Sequence, residues 1–160
     1  MQRTVKTIVG WIKIEEDENM IVRLEFVDAA VEETDQCGDD TPLLLEAFRQ
    51  LDEYFCGSRK KFDLPLKLRG TEFQKRVWHE LLKIPYGETA SYKDVAIRIG
   101  NPGAARAVGM ANHNNPIAII VPCHRVITAG GRFGGYAGGL DLKNKLLVLE
   151  NKFKSIEKLI

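Results

Sequence analysis

The sequence predicts an α+β fold in which a small N-terminal α/β domain precedes a helical, winged-helix-like C-terminal domain. Segments rich in β-branched residues, typical of strands, lie at 4–14 and 20–27. Apolar residues at helical spacing dominate after residue 70. Two short helices there are separated by a turn containing glycine, which is typical of a helix-turn-helix. We therefore expect one domain over residues 1–68 and a second over 69–160.

Length and composition set the first limits on function. The chain has 160 residues, and 44% of them are hydrophobic, which is enough for a core. Its formal net charge of +1 argues against nonspecific coating of nucleic acid, although a local basic patch would still permit DNA binding. We find no apolar run as long as a membrane span and no segment typical of a signal peptide. We therefore expect a cytoplasmic protein that does not contact membranes.

The cysteines and histidines indicate which redox compartment to expect and whether a metal site is expected. The sequence contains three cysteines: Cys37, Cys56 and Cys123. Their odd number and the lack of a CxxC motif argue against a disulfide framework and favour a reducing compartment. The histidines show no spacing typical of metal ligands, either with each other or with the cysteines. We therefore predict no metal site and no cofactor.

The N-terminal half predicts a hairpin followed by one helix. Residues 4–14 and 20–27 are expected to form two antiparallel strands joined by a charged turn. Thr41 is typical of a helix N-cap and Pro42 of the first helical position. Apolar residues then recur at helical spacing until Gly57, which is typical of a helix end. No cluster of catalytic residue types is predicted in this half.

The C-terminal half begins with two capping signals. Thr71 with Gln74 forms a capping box before a helix whose apolar stripe we expect in the core. Ser91 with Asp94 begins the next helix in the same way. A third helix is expected to start directly at Asn101–Pro102, so that only a short turn separates the pair. The pair is either a helix-turn-helix or an ordinary helical hairpin.

The second helix of this pair carries one long cation, Arg106, within the small-residue run Gly103–Ala107. Small side chains let a helix approach a ligand closely, and a lone arginine there is suited to entering a groove or replacing a displaced base. The alternative is an arginine whose stem simply covers the alanines. Further on, Asp141 is expected to cap a last helix that contains Glu150.

The most informative stretch lies between these helices. Residues 117–121 are apolar and rich in β-branched types, which predicts a short buried strand that Pro122 ends. Cys123, His124 and Arg125 follow at once, and such a polar triplet is costly to bury without a purpose. A thiolate is nucleophilic, and a neighbouring base or cation favours it. The alternative is a buried structural cysteine with His124 and Arg125 at the surface.

The string Pro122–Val126 resembles the active-site motif of the O6-alkylguanine-DNA alkyltransferases, also called methylated-DNA–protein-cysteine methyltransferases. Other motifs of the family occur on both sides of this string, between Phe73 and Glu150, and in the order that the family has. They are Tyr86–Thr89, Ser91–Tyr92, Asn101–Val108, Asn115–Pro116, Tyr136–Leu140 and Glu150 itself. The N-terminal half is divergent in this family, and there we infer only a compatible α/β outline.

The resemblance implies DNA repair by stoichiometric, single-turnover transfer of an alkyl group from O6-alkylguanine in double-stranded DNA to Cys123. His124 would act as the base, through a water, and Glu150 would orient its imidazole. Asn115 would brace the site by hydrogen bonding. Tyr92 would donate toward a ring nitrogen of the departing guanine, which is otherwise a poor leaving group. We expect the protein to act as a monomer.

The resemblance also implies a DNA interface and a base pocket. Arg106 would fill the space left by a flipped nucleotide. The other expected DNA contacts are Tyr92, Lys93, Asn101 and Gln74. The expected pocket residues are Val126, Tyr136 and Ala137. Family members often carry a hydroxyl residue at the last of these positions, so Ala137 serves equally only if O6 is contacted through a backbone N–H.

Three other functions stay open at this point. One is a module that binds DNA lesions and recruits repair factors, but the related non-enzymatic proteins replace the nucleophilic cysteine that is present here. Another is a cysteine hydrolase using Cys123 and His124, although adjacent residues on an extended segment point to opposite faces. The third is a winged-helix regulator, which would tolerate Cys123→Ala.

Overall fold

The structure, a computed structural model, describes residues 1–28, 40–128 and 140–157. The chain divides into two units, Met1–Leu68 and Arg69–Ile160. The first unit holds a three-stranded sheet and a helix, and the second is mainly helical, which confirms the predicted α+β class. Over the described ranges, no helix has the length and apolar character needed to cross a membrane.

The sheet of the first unit is antiparallel, with strands in the order β1 (Gln2–Thr7), β2 (Gly10–Asp17) and β3 (Met20–Val27). The single strand predicted over 4–14 is wrong, because the chain reverses between Thr7 and Gly10. Thr7 Oγ1 donates to the Gly10 carbonyl oxygen at 2.7 Å, and Gly10 has a φ of +114° that favours glycine. The predicted hairpin is therefore formed by β2 and β3.

Helix α1 (Pro42–Phe55) begins and ends as predicted. The Thr41 hydroxyl accepts a hydrogen bond from the Leu44 backbone N–H at 3.1 Å, and Pro42 occupies the first helical position. Gly57 follows the helix with a φ of +85°. One face of α1 is buried and packs on β1 and β2, which forms the core of this unit.

The second unit contains four α-helices and a two-stranded parallel sheet among its described residues. They are α2 (Glu72–Leu81), β4 (Ala90–Ser91), α3 (Tyr92–Arg98), α4 (Ala105–His113), β5 (Val126–Ile127) and α5 (Leu140–Glu157). Both predicted capping boxes, at Thr71 and Ser91, are formed. Helices α2, α3 and α4 pack on one another, and Trp78 Nε1 donates to the Ala111 carbonyl oxygen at 2.8 Å. These helices form the scaffold of the site.

Helices α3 and α4 are joined by a longer connection than predicted. The expected helix start at Asn101–Pro102 is wrong, because α4 begins at Ala105. The Asn101 N–H donates to the Ala96 carbonyl oxygen at 2.9 Å, so Asn101 closes α3 instead of starting a new helix. Its conformation is also restricted by the proline that follows.

The strand predicted over 117–121 is wrong in shape, although all five residues are buried. The Val121 N–H donates to the Ile117 carbonyl oxygen at 3.0 Å, and Ile119 has a φ of +68°, which is strained for a β-branched residue. Asn115 holds both ends of this turn. Its Nδ2 donates to the Val121 carbonyl oxygen at 2.9 Å, and its Oδ1 accepts from the Ile117 N–H at 3.0 Å. The Asn115 amide thus replaces the bonds that a neighbouring strand would supply.

Helix α5 begins at Leu140, so Asp141 lies in the first turn and not at the predicted cap position. An acidic side chain there still favours the helix through its dipole. Leu142, Leu146 and Glu150 are buried on one face. This face packs against the segment that carries the cysteine.

Candidate active site

Cys123, His124 and Arg125 form one turn of 3-10 helix directly after Pro122. The Arg125 N–H donates to the Pro122 carbonyl oxygen at 3.0 Å and closes this turn. The exposed fraction is 0% for Cys123 and His124 and 7% for Arg125. The alternative that placed His124 and Arg125 at the surface is therefore wrong. Because the segment is helical and not extended, the side chains of Cys123 and His124 are not forced onto opposite faces.

Three residues from two segments form hydrogen bonds with Glu150. His124 Nε2 lies 2.6 Å from Glu150 Oε2. Arg125 donates through Nε to Oε1 at 2.8 Å and through Nη2 to Oε2 at 3.0 Å, and the Gly87 N–H donates to Oε1 at 3.1 Å. Burial alone would raise the pKa of Glu150, but the bonds from His124 and Arg125 outweigh it and hold this pKa well below its usual range. Glu150 is therefore an anion at neutral pH.

The anion fixes which nitrogen of His124 carries the proton. Because Nε2 donates to Glu150, the neutral ring has its acceptor at Nδ1. Nδ1 is buried and has no hydrogen-bond partner among the residues that the structure describes. Burial lowers the pKa of His124, although Glu150 opposes the shift, so the ring is neutral near pH 7. A neutral imidazole with an unused acceptor has the properties of a general base.

Tyr92 and Lys143 both interact electrostatically with Cys123. Burial raises the pKa of Tyr92, and a thiolate at Cys123 would raise it further, so the phenol keeps its proton at neutral pH. Lys143 is fully buried, donates to the Val126 carbonyl oxygen, and its Nζ lies 5.9 Å from the centre of the Tyr92 ring. Burial lowers the pKa of Lys143, while a thiolate at Cys123 opposes this shift. The site thus combines a proton donor, a cation and a nucleophile.

Sequence reasoning missed two residues of this site. Asn112 donates through Nδ2 to the Cys123 carbonyl oxygen at 3.3 Å. Lys143 lies seven residues before Glu150, a spacing that places both on the same face of a helix and would have indicated it. Arg125 is a candidate cation for the thiol by sequence, but its side chain donates to Glu150 and to the Ile84 carbonyl oxygen. Within the described ranges, no group of three or more His, Cys, Asp or Glu is placed to hold a metal ion.

The remaining predicted site residues are placed as follows. Asn115 braces the turn in front of the nucleophile. Val126 is buried and pairs with Ala90 of β4. Tyr136 and Ala137 lie outside the described residues.

The residues expected to contact DNA lie on α2, α3, α4 and the connection between the last two. Arg106 is exposed on α4 and Lys93 is exposed in the first turn of α3. Asn101 is exposed in the connection. Gln74 already has a structural role, because its Oε1 accepts from the Thr71 N–H at 3.0 Å.

Two family models together match nearly the whole chain. Residues 72–152 match the DNA binding domain of 6-O-methylguanine DNA methyltransferase, and residues 1–68 match its ribonuclease-like domain. The chain belongs to the 6-O-methylguanine DNA methyltransferase family. This confirms the resemblance drawn from the Pro122–Val126 motif.

Similar proteins agree with this assignment. The methylated-DNA–protein-cysteine methyltransferase of Mycolicibacterium paratuberculosis is 49% identical over 151 residues, which cover 94% of this chain and 92% of that protein. The protein of the same name from Methanosarcina acetivorans is 51% identical over 144 residues, covering 89% and 92%. The crystal structure of Mycobacterium tuberculosis OGT in complex with DNA has a TM-score of 0.86 at 47% identity, and the match covers 95% of this chain and 93% of that one.

Proposed function

We propose that this protein repairs DNA by transferring an alkyl group from O6 of a guanine in double-stranded DNA to Sγ of Cys123. The observation that carries the proposal is the buried arrangement at Cys123, in which the adjacent His124 keeps an unused Nδ1 acceptor while its Nε2 binds anionic Glu150. The match to a DNA binding domain and the similarity to OGT in complex with DNA support DNA as the partner.

Transfer begins with the proton of the thiol. His124 Nδ1 accepts it through a bridging water, and Glu150 stabilises the imidazolium that forms. The thiolate then attacks the alkyl carbon, so that an S–C bond forms, the C–O6 bond breaks and the electron pair stays on guanine. The Tyr92 hydroxyl, kept protonated by its raised pKa, donates toward a ring nitrogen of the leaving guanine.

Burial of the nucleophile determines how DNA must be presented. Cys123 is 0% exposed, so a guanine stacked in a duplex cannot reach it and has to be flipped out. Extrusion costs on the order of a few kcal/mol, and less for a poorly paired lesion. Arg106 takes the place of the extruded base, and the small residues beside it on α4 permit a close approach. The resulting thioether is not a leaving group, so each molecule reacts once.

The same proposal assigns the outer contacts. Lys93, Asn101 and Gln74 contact the DNA backbone, and Val126, Tyr136 and Ala137 line the pocket for the base. One monomer acts on one lesion. Replacing Lys93 with alanine would then weaken binding to all duplexes alike and reduce its salt dependence, as expected for a phosphate contact.

Mass spectrometry of the whole protein and of its peptides tests the proposal. After mixing with a duplex that holds one O6-methylguanine, we expect the Cys123 peptide to gain one methylene group, saturating at one per chain. An unmodified duplex and the Cys123→Ser variant are expected to give no gain, whereas Cys56→Ser should react normally. Tight binding without a mass change would replace the proposal with a lesion-binding module, and repeated turnover would replace it with a hydrolase.

A further inference from the structure

Arg125 holds the Glu150 carboxylate by both oxygens. Nε binds Oε1 at 2.8 Å and Nη2 binds Oε2 at 3.0 Å, which is a bidentate pair. Nη1 donates to the Ile84 carbonyl oxygen at 2.8 Å, and the guanidinium carbon lies 5.6 Å from the centre of the Tyr86 ring. Arg125 is only 7% exposed, and these contacts hold its guanidinium in one orientation. A lysine cannot reproduce the two parallel bonds.

One short turn supports both members of this pair. Ile84 accepts from Arg125, and the Gly87 N–H donates to Glu150 Oε1 at 3.1 Å. The Gly87 carbonyl oxygen in turn accepts from Lys154 Nζ on α5 at 3.2 Å. The 3-10 helix, the 84–87 turn and α5 are therefore joined at the ion pair, so its geometry is defined by three separate segments.

The pair also determines the charge that His124 experiences. The charged groups that act on His124 are Glu150, Arg125 and Lys143, and the titratable Cys123 precedes it in the chain. An uncompensated carboxylate in contact with a buried imidazole would draw a proton onto it. Arg125 cancels that charge and still leaves Oε2 able to accept from Nε2. Glu150 therefore orients the His124 imidazole without its negative charge drawing a second proton onto the ring.

We propose that Arg125 is a positioning residue for alkyl transfer, which locks the Glu150 carboxylate and cancels its charge so that His124 stays neutral, with its proton on Nε2, until it accepts the proton of Cys123. This inference rests on the proposed function. It assigns Arg125 a task distinct from lowering the pKa of the thiol, because its hydrogen bonds are made to the carboxylate and to a backbone carbonyl.

Nitrogen-15 NMR of histidine-labelled protein tests the inference without DNA. In the wild type at pH 7, we expect His124 to carry a proton on Nε2 and none on Nδ1. In Arg125→Met, its titration should move to higher pH, whereas Arg125→Lys, which keeps the charge, should move it less. Arg76→Met, which removes an exposed arginine of the same unit, is the matched control and should leave the titration unchanged. A wild-type imidazolium at pH 7, or an unshifted Arg125→Met, would overturn the inference.

The rate of reaction of Cys123 with the free base O6-benzylguanine, measured against pH, gives the kinetic readout. Arg125→Met should move the acidic limb upward by about one pH unit, equivalent to a tenfold loss of rate on that limb. In Arg125→Lys, the acidic limb should return closer to its wild-type pH. The maximal rate should recover less, because a lysine keeps the charge but not the two parallel bonds. Because removing one partner of a buried pair destabilises a fold, the double variant Arg125→Met/Glu150→Leu is included. Its His124 should not show the upward shift, and an equal shift there would refute the charge argument.

These two measurements separate the inference from the proposed function. If wild-type protein does not react with O6-benzylguanine or with damaged DNA, the function fails while the NMR titration still decides the role of Arg125. If wild-type protein reacts but its variants keep the same limb and titration, Arg125 is only structural.

Discussion

Replacing Glu150 with glutamine removes one buried charge at nearly constant side-chain size. Glutamine keeps one acceptor oxygen but places N–H donors where Arg125 and His124 already donate. It also leaves the Arg125 guanidinium, which is only 7% exposed, without its counter-charge. Breaking a buried ion pair by removing one partner costs about 3–5 kcal/mol. We expect the free energy of unfolding of Glu150→Gln at pH 7 to fall by about that amount.

The same variant is expected to respond less to acid. The pKa of Glu150 is lower in the folded chain than its ordinary value of 4.5, so the unfolded chain binds more protons between the two values. Wild-type stability that depends on Glu150 is therefore present above about pH 4.5 and is lost as the pH falls. Glutamine does not titrate, so the stabilities of the two proteins should converge in acid. The lowered pKa of His124 adds a separate loss that begins below about pH 6.5.

Urea denaturation followed by tryptophan fluorescence at several pH values measures both effects. The buried Trp78 reports on the unit that holds the pair. Glu80→Gln is the matched control, because Glu80 pairs at 3.2 Å with the exposed Lys83 and such a surface pair contributes at most about 1 kcal/mol. If Glu150→Gln costs no more than Glu80→Gln and keeps the wild-type pH dependence, the buried pair does not stabilise the fold as reasoned.

Four further outcomes are expected. Arg106→Ala should slow transfer from duplex DNA but not from free O6-benzylguanine, because only a duplex needs its flipped base replaced; equal slowing in stopped-flow measurements would contradict the role in the groove. Tyr92→Phe keeps the ring but removes the donated proton, so single-turnover rates should fall by about a hundredfold, and an unchanged rate would exclude proton donation. Trp78→Phe removes the indole bond to the Ala111 carbonyl and should lower the free energy of unfolding by about 1–3 kcal/mol in denaturant titrations. Binding to duplex DNA, measured by fluorescence anisotropy, should weaken steadily with salt as counterion release requires, whereas a flat response would argue against phosphate contacts.

The features predicted correctly from sequence are those set within a few residues. Thr41, Thr71 and Ser91 each cap a helix by accepting a hydrogen bond from an N–H three residues ahead. Such bonds depend on local residue type and spacing, and nothing elsewhere in the chain is needed to form them. The starts of these three helices could therefore be predicted from the sequence alone.

The errors lie where distant or side-chain bonds decide the backbone. Residues 117–121 have the composition of a buried strand, but the Asn115 amide satisfies both ends of a turn there. Asn101 precedes a proline and looks like a helix start, yet its N–H closes the preceding helix. The family motif indicated Glu150, whereas the partnership with Arg125 joins residues 25 positions apart and follows only from the packing of α5.

Complete burial of Cys123 has a consequence for how the protein is consumed. A reagent that reacts once loses its whole capacity to any side reaction. Dissolved electrophiles that do not resemble a guanine base meet the exposed Cys56, whereas Cys123 is buried. The surrounding core thereby makes the reaction selective, because only an alkyl group carried on a base that fits the site reaches the sulfur. The single equivalent of repair that each chain carries is thereby kept for alkylated guanine.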